Sequence, residues 1–323
     1  MKQEKTILIV GLGAIGSVIY SRLDRNGYNV VCLTSEKGRK IIRKKGLLVE
    51  LVGENTPQIH TCEVYDELPE NSKFKHIIIT TKSWLNETIS DSLISSLDSN
   101  SSIMFFQNGM HIEKPFKDKF ENLKISRAVT SLAALREDVN HAKEASVGDT
   151  VIGGVNYVDI EEITFWKDLL KEIGVPTEIS KNIQKDIWLK TIVNCSIGPI
   201  GAITGLLNGP LFEESSLNFL IRSIIEEILP VVPEDLMINF YDAYNLLEKI
   251  IKQTSQHKCS MLQDIENGSK TEIETLNGKI VELAAEKDLN LPINSKLTEI
   301  VKKLSEENYP KELAFLDLRS MFR

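Results

Sequence analysis

The chain has 323 residues and a formal net charge of −8, a length that exceeds one common domain and makes two the expectation. Hydrophobic residues supply 42% and charged residues 26% of it, the balance of a globular chain able to bury a substantial core. The negative charge, with no basic stripe interleaved with aromatics, excludes a nucleic-acid binder, and no apolar segment reaches the ~20 residues that span a bilayer.

Other classes are narrowed by residue type. Cys32, Cys62, Cys195 and Cys259 have neither CxxC spacing nor the density of a disulfide framework, so reduced thiols are expected. His60, His76, His111, His141 and His257 are scattered, with no His or Cys nearby at ligand spacing, and no metal site is expected. The polar start Met1-Lys2-Gln3-Glu4-Lys5 runs into a strand rather than a cleavable signal, which points to a cytoplasmic protein.

The most informative stretch is residues 6–16, Thr-Ile-Leu-Ile-Val-Gly-Leu-Gly-Ala-Ile-Gly. Ile7 to Val10 read as a strand buried on both faces of a parallel sheet. Ile15, Val18, Ile19 and Leu23 then recur at helical spacing, with Gly27 as the stop. A strand entering a glycine triplet and a helix leaving it is the context of a dinucleotide-binding fold. In that reading Gly11 permits the tight turn, Gly13 lets backbone N–H groups approach the pyrophosphate, and Gly16 lets helix and strand pack closely. Leu12, Ala14 and Ile15 complete the predicted cofactor loop.

The second strand, Tyr28 to Leu33, ends in Thr34, Ser35, Glu36, Lys37, Gly38, Arg39 and Lys40. An NAD enzyme usually presents an acidic residue here to the ribose hydroxyl. Ser35, Lys37 and Arg39 suit a 2′-phosphate instead, so NADPH is expected over NADH. Glu36 is the dissenter, and an inward turn of its side chain would reverse the preference. The alternative is a solvated basic loop.

Farther along, Gly46–Val52 and Ile59–Tyr65 read as short strands, and His76–Thr81 and Ser102–Phe106 as stronger ones. Ile125–Ala133, Ala145–Val147 and Thr150–Ile152 follow, then a helix from about Glu161 to Ile173. This alternation signals an α/β architecture. Past residue 182 the period is helical, in Phe212–Leu229, Leu236–Ser255, Thr271–Glu286 and Asn294–Glu307. The reading is a cofactor domain over 1–180 and a helical domain over 181–323, with a helix from Lys181 or Asn182 as connector and substrate between the domains.

Three polar clusters are candidates for chemistry. Lys82-Ser83-Trp84 and Gln107-Asn108-Gly109 follow strands at their carboxyl ends, where open α/β sheets bind ligands; either is also an ordinary turn. Lys190 and Asn194 lie four apart on one helical face, bordered by Leu189, Ile192, Val193 and Ile197. Such a lysine either snorkels, with Asp186 as a surface partner, or is held in a pocket. The third cluster runs from Cys259 to Glu274. Asn267-Gly268 breaks its helix, and Ser269 with Glu272 matches an S-x-x-E capping box, in which the acid merely caps a helix start.

Together, GLGAIG, TTKSW, QNGM, WLKTIVNCSIGP, CSMLQDIENGSKTEIETLNG and LPINSKL make the chain resemble the ketopantoate reductase (2-dehydropantoate 2-reductase) family over nearly its whole length. The resemblance implies a Rossmann-type dinucleotide-binding domain followed by an all-helical C-terminal domain, using NADPH to reduce a 2-keto acid. It implies that Lys190 is the general acid and that Glu272 binds the substrate hydroxyl near that lysine. It also implies that Asn108, Asn194 and Ser260 line the substrate site and that Lys82 lies at the cofactor cleft; Gln107 and Asn108 are taken with the cofactor contacts. Two positions depart from the pattern. Gly198 stands where many relatives have a further asparagine, and Ser35 where an arginine often meets the 2′-phosphate. The alternatives are a reductase of the same architecture acting on another 2-keto acid, and a non-catalytic NADPH-binding sensor. Apolar faces of the C-terminal helices allow a homodimer.

Overall fold

The run Ile7–Val10 is divided residue by residue between two cores. In this computed structural model, which describes residues 6–306 and 309–321, Ile7 and Ile9 join Val18, Ile19, Leu23 and Trp166 on one face of a sheet. Leu8 and Val10 join Ile77, Ile79, Phe105 and Phe116 on the other. A strand has a side-chain period of two, so burial on both faces demands an unbroken apolar run. The expectation drawn from Met1 to Lys5 lies outside the described residues.

The first compact unit runs to Gln107 and resumes over His111–Ile183. Its elements are β1 (Thr6–Val10), α1 (Ala14–Arg25), β2 (Asn29–Leu33), α2 (Glu36–Lys45), β3 (Leu47–Glu50), β4 (Gln58–His60), β5 (Glu63–Tyr65) and β6 (His76–Ile79). There follow α3 (Asn86–Ser92), β7 (Ser102–Phe105), α4 (Lys114–Lys119), β8 (Lys124–Thr130), β9 (Ala133–Asp138), β10 (His141–Ser146), β11 (Thr150–Asn156), α5 (Ile160–Glu172) and β12 (Thr177–Ile179). Eight strands form the main sheet in the order β12-β11-β8-β7-β6-β1-β2-β5. All its neighbours pair parallel except β11 and β8. The order reverses at β1, between β2 and β6, the switch point at which such sheets bind ligands.

A second sheet, β4-β3-β10-β9, covers α1. Arg22 of α1 donates from Nε and Nη2 to the Glu144 carboxylate of β10 at 2.7–3.0 Å. His60 of β4 sits between Asp24 (Nδ1 to Oδ2, 2.6 Å) and Ser21 (Nε2 to Oγ, 2.9 Å). The trio copies the order of a hydrolase triad, but Ser21 has no exposed surface, and its role is to join helix and sheet.

The sequence did not announce this second sheet. The expected strand Ile59–Tyr65 is two strands, β4 in the small sheet and β5 at the edge of the main one. The expected strand to Ala133 stops at Thr130 because the Ser131 backbone and hydroxyl both bond Asp149.

The second unit comprises Asn108–Met110 and the chain from Gln184 onward. Its helices are α6 (Ile183–Thr204), α7 (Asn208–Glu213), α8 (Ser215–Ile228), α9 (Phe240–Thr254), α10 (Ser260–Glu266), α11 (Lys279–Ala285), α12 (Pro292–Glu306) and α13 (Lys311–Ser320). Asn239 and Asp242 form a capping box that starts α9, later than the Leu236 expected. The expected helix Thr271–Glu286 is a π-helical turn, Glu274–Gly278, leading into α11. Glu307, the last residue of the expected final helix, lies outside the described residues. The expectation that no apolar segment reaches spanning length is corrected by α6. Its 22 residues are long and apolar enough, and 78% of the most apolar window is buried inside the protein.

The Arg22–Glu144 pair gives a prediction. Glu144→Ala removes a carboxylate with no exposed side-chain surface that also accepts from Val52 N at 3.0 Å. The expected loss is about 3 kcal/mol of stability, measured by urea unfolding.

Candidate functional site

Each glycine of the triplet has a different physical reason. Gly11 has φ +105°, and a Cβ there would meet Thr81 N at 2.8 Å; its N–H donates to Leu33 O at 2.8 Å, tying the turn to β2. A Cβ on Gly16 would lie 1.9 Å from the Gly11 carbonyl oxygen and 2.4 Å from Thr80 Oγ1, so α1 is closer to the loop than any side chain permits. Gly13 is the N-cap of α1 with φ −80°, and nothing lies within 4 Å of its would-be Cβ. The protein itself gives no reason for a glycine at 13, and a ligand backed onto the chain supplies one. Leu12 is buried and Ile15 packs on the core, fixing the loop from below. Ala14, Ile15 and Gly16 precede the first intrahelical bond, Ser17 N to Gly13 O at 3.0 Å. The first turn of α1 has no acidic residue, so its N–H groups face an anion unopposed.

At the end of β2, Ser35 caps α2, accepting from Gly38 N at 3.2 Å. Arg39 is paired with Asp66 at 2.9 Å. Glu36 is exposed and held by Lys40 at 2.5 Å. Lys37 is exposed, with no ion pair among the described residues. Asp66 was not singled out, since only the pairing of β5 with β2 brings it here.

The loops after β6 and β7 are joined by a buried amide pair. Gln107 Nε2 donates to Asn86 Oδ1 at 2.7 Å and Asn86 Nδ2 to Gln107 Oε1 at 2.8 Å. Gln107 Nε2 also reaches Thr81 O at 2.8 Å. The side chain of Gln107 is therefore committed within the protein. Its carbonyl accepts from Arg127 Nη2 at 3.2 Å, and Arg127 is buried against Glu113 at 3.1 Å. Lys82 is half-buried at the start of a 3₁₀ turn, Ser83–Leu85.

In the second unit the remaining candidates share a few connected segments. Lys190 lies on α6 beside Thr191, Ile192 and Val193, each at most 2% exposed. Burial alone pushes the pKa of its ammonium down from 10.5. No carboxylate pairs with it among the described residues: neither the Asp186 partner nor a direct bond to Glu272 is formed. Asn194, one turn on, is half-buried with no side-chain hydrogen bond among the described residues, and so is Asn108. Asn108's segment is anchored by Met110, whose N–H donates to Thr275 O at 3.3 Å and whose Sδ accepts from Thr191 Oγ1 at 3.4 Å. The QNGM turn, the lysine helix and the turn after Glu272 are thus bonded together.

Glu272 is buried at 7% exposure. The expected capping box is not formed, because Ser269 starts no helix and the next helical residue is Glu274. The Glu272 carbonyl instead accepts from Thr275 and Leu276 N–H, both at 3.1 Å. Ser260 is exposed as the first residue of α10. Its neighbours explain Gly198: a Cβ there would sit 3.1 Å from Met261 Sδ, and Cys259 Sγ donates to the Gly198 carbonyl at 3.5 Å.

A mostly parallel sheet with a glycine loop at its switch point, followed in the chain by a helical unit that holds a lysine with no carboxylate partner among the described residues, is the arrangement of a nicotinamide-dependent oxidoreductase. Residues 7–157 match the family described as ketopantoate reductase PanE/ApbA, and 182–305 match its C-terminal domain. The chain belongs to the ketopantoate reductase family. It is 32% identical over 302 residues to 2-dehydropantoate 2-reductase from Pyrococcus horikoshii, covering 92% of this chain and 96% of that one. The crystal structure of a PanE/ApbA family ketopantoate reductase from Ralstonia eutropha shares the fold with a TM-score of 0.81 at 21% identity, covering 94% and 99% of the two chains. So does a ternary structure of D-mandelate dehydrogenase with NADH and anilino(oxo)acetate, with a TM-score of 0.84 at 22% identity over 94% and 98%.

The glycines predict a split outcome. Gly13→Val folds with a melting temperature near the parent's and loses NADPH binding, as read by nucleotide fluorescence titration. Gly16→Val destabilises the protein itself, because its Cβ would stand 1.9 Å from the Gly11 carbonyl oxygen, a backbone atom that cannot move aside as a side chain can. A Gly13→Val protein that still bound NADPH would refute the assigned phosphate site.

Proposed function

We propose that this chain reduces 2-dehydropantoate to pantoate with NADPH, a step of pantothenate and coenzyme A biosynthesis. The first unit carries the cofactor and the second holds the keto acid. The observation that carries the reading is half-buried Lys190, whose ammonium has no counter-charge among the described residues, one helical turn from an amide that has no side-chain hydrogen bond among them. Desolvating a cation costs free energy, and a ligand oxygen is what repays it.

The N–H groups at the start of α1 would hold the pyrophosphate and Lys37 the 2′-phosphate, with Arg39 shared between that phosphate and Asp66. Ser35 is a helix cap in this role. NADPH supplies the hydride that reduces the keto carbon. Lys190 holds a proton at Nζ, stabilises the charge growing on the carbonyl oxygen and gives up that proton, so that the ketone becomes an alcohol. Glu272 accepts a hydrogen bond from the substrate hydroxyl. Asn108, Asn194 and Ser260 donate to the carboxylate and carbonyl. Lys82 lies beside the cofactor, where Gln107 acts through the turn it holds. The enzyme works in the cytoplasm, and exposed Phe219 and Tyr241 on α8 and α9 suit a homodimer.

Substitutions and pH profiles test this. Lys190→Met lowers kcat by ~10²–10⁴-fold with NADPH affinity retained; unchanged turnover means that another group is the acid. In the parent, kcat/KM with 2-dehydropantoate falls as pH rises through the lowered lysine pKa, because the acid must carry its proton. Stability moves the other way. From the folded pKa up to 10.5 the unfolded chain binds the proton more tightly, so the parent gains stability as pH rises. Below that window the penalty is full, and there Lys190→Met melts higher than the parent. Lys37→Ala should raise KM for NADPH several-fold and leave KM for NADH unchanged in side-by-side absorbance assays; equal effects would remove Lys37 from the phosphate site.

A further inference from the structure

Pro199 lies inside α6. Proline has no N–H, so the carbonyl one turn back, that of Cys195, loses its helical donor. The replacement comes from outside the helix: Asn277 Nδ2 donates to Cys195 O at 3.0 Å. The same amide nitrogen donates to Asn294 Oδ1 at 3.0 Å, which spends both of its hydrogens. Asn294, on α12, is held in turn by Glu227 of α8, whose Oε2 accepts from Asn294 Nδ2 at 2.6 Å and from its backbone N–H at 2.8 Å. Asn277 has no exposed surface.

Its position gives this chain of bonds a meaning beyond satisfying a carbonyl. Cys195 adjoins Asn194, and the missing rung falls just past Lys190 and Asn194, where a proline bends a helix. Asn277 belongs to the π-helical turn Glu274–Gly278, which is bonded back to the Glu272 carbonyl through Leu276 N–H at 3.1 Å. A π-turn inserts a residue into the helical register and is common where side chains must be aimed. We propose that Asn277 is a positioning residue for the reduction: through the Cys195 carbonyl it locks the helix bearing Lys190 and Asn194 to the turn bearing Glu272. The proposal rests on the reading that Lys190 and Glu272 serve that reaction.

Pro199 makes the claim testable, because Pro199→Ala returns a helical N–H to the Cys195 carbonyl without restoring the tie to the π-turn. The parent, Asn277→Ala, Pro199→Ala and the double variant are compared for kcat and KM with 2-dehydropantoate, for NADPH binding by fluorescence and for melting temperature. Asn277→Ala is expected to lose kcat by about 10- to 100-fold, to bind NADPH as the parent does and to melt lower. The double variant recovers the part of the melting temperature owed to the Cys195 carbonyl and not kcat. Recovery of both in the double variant, or an Asn277→Ala protein that keeps kcat within about twofold, overturns the proposal and leaves only carbonyl satisfaction. Should Asn277→Ala fail to fold, Pro199→Ala against the double variant carries the same comparison. A parent inert toward 2-dehydropantoate sinks the functional reading and this proposal with it; an active parent with insensitive variants sinks the proposal alone.

Discussion

The ammonium of Lys190 sits on a largely apolar helix, and the proposed chemistry depends on holding it there. Burial pushes its pKa down, and no carboxylate offsets the cost among the described residues. In the proposed role a paired lysine would be more stable and less useful, since a counter-ion would hold the proton and take the place proposed for the substrate oxygen. Free energy lost at this point must be recovered from the surrounding packing, where Ile192, Val193, Cys195 and Ile200 have no exposed surface. Functional sites regularly carry such local instability.

The first unit obeys a different constraint, the approach of backbone to backbone. The Gly11 carbonyl accepts from Thr80 Oγ1 at 2.6 Å and lies where a Gly16 side chain would be. Strand β6, the glycine turn and α1 therefore meet in one contact that tolerates no Cβ. The small sheet backs α1 from its far side through Arg22 and His60. The helix whose amino end is proposed to take the phosphates is thus fixed at both ends of its length, and little reorganisation is left for ligand binding to cost.

Legibility in the sequence followed the strength of the local pattern. An unbroken apolar strand running into glycines, and helices with apolar residues three and four apart, could be read because burial imposes those periods directly. The small sheet, apart from the strand expected within Gly46–Val52, could not. Its strands β9, Ala-Ala-Leu-Arg-Glu-Asp, and β10, His-Ala-Lys-Glu-Ala-Ser, lack both β-branched residues and clean alternation, and their pairing carries register shifts. Ser269 and Glu272 spelled a capping box whose helix never starts there, because residues 271–273 are buried and tertiary packing overrides the local signal. Asp66 beside Arg39 and Asn277 beside Cys195 are contacts between segments distant in the chain. Asn277-Gly278 reads locally as nothing more than a turn.

Helix α6 shows how the two kinds of information combine. By length and composition it passes for a membrane span, and its apolar residues alone do not distinguish a span from a core helix. The features that break the pattern do: a lysine and an asparagine one turn apart, then a proline whose orphaned carbonyl is answered by a buried amide from another segment. A lipid-facing helix has no such amide to draw on, and Pro199 would leave it with an unsatisfied carbonyl in hydrocarbon. The polar exceptions in an apolar run therefore say more about its surroundings than the run itself, and here each exception falls on the segment to which the chemistry is assigned.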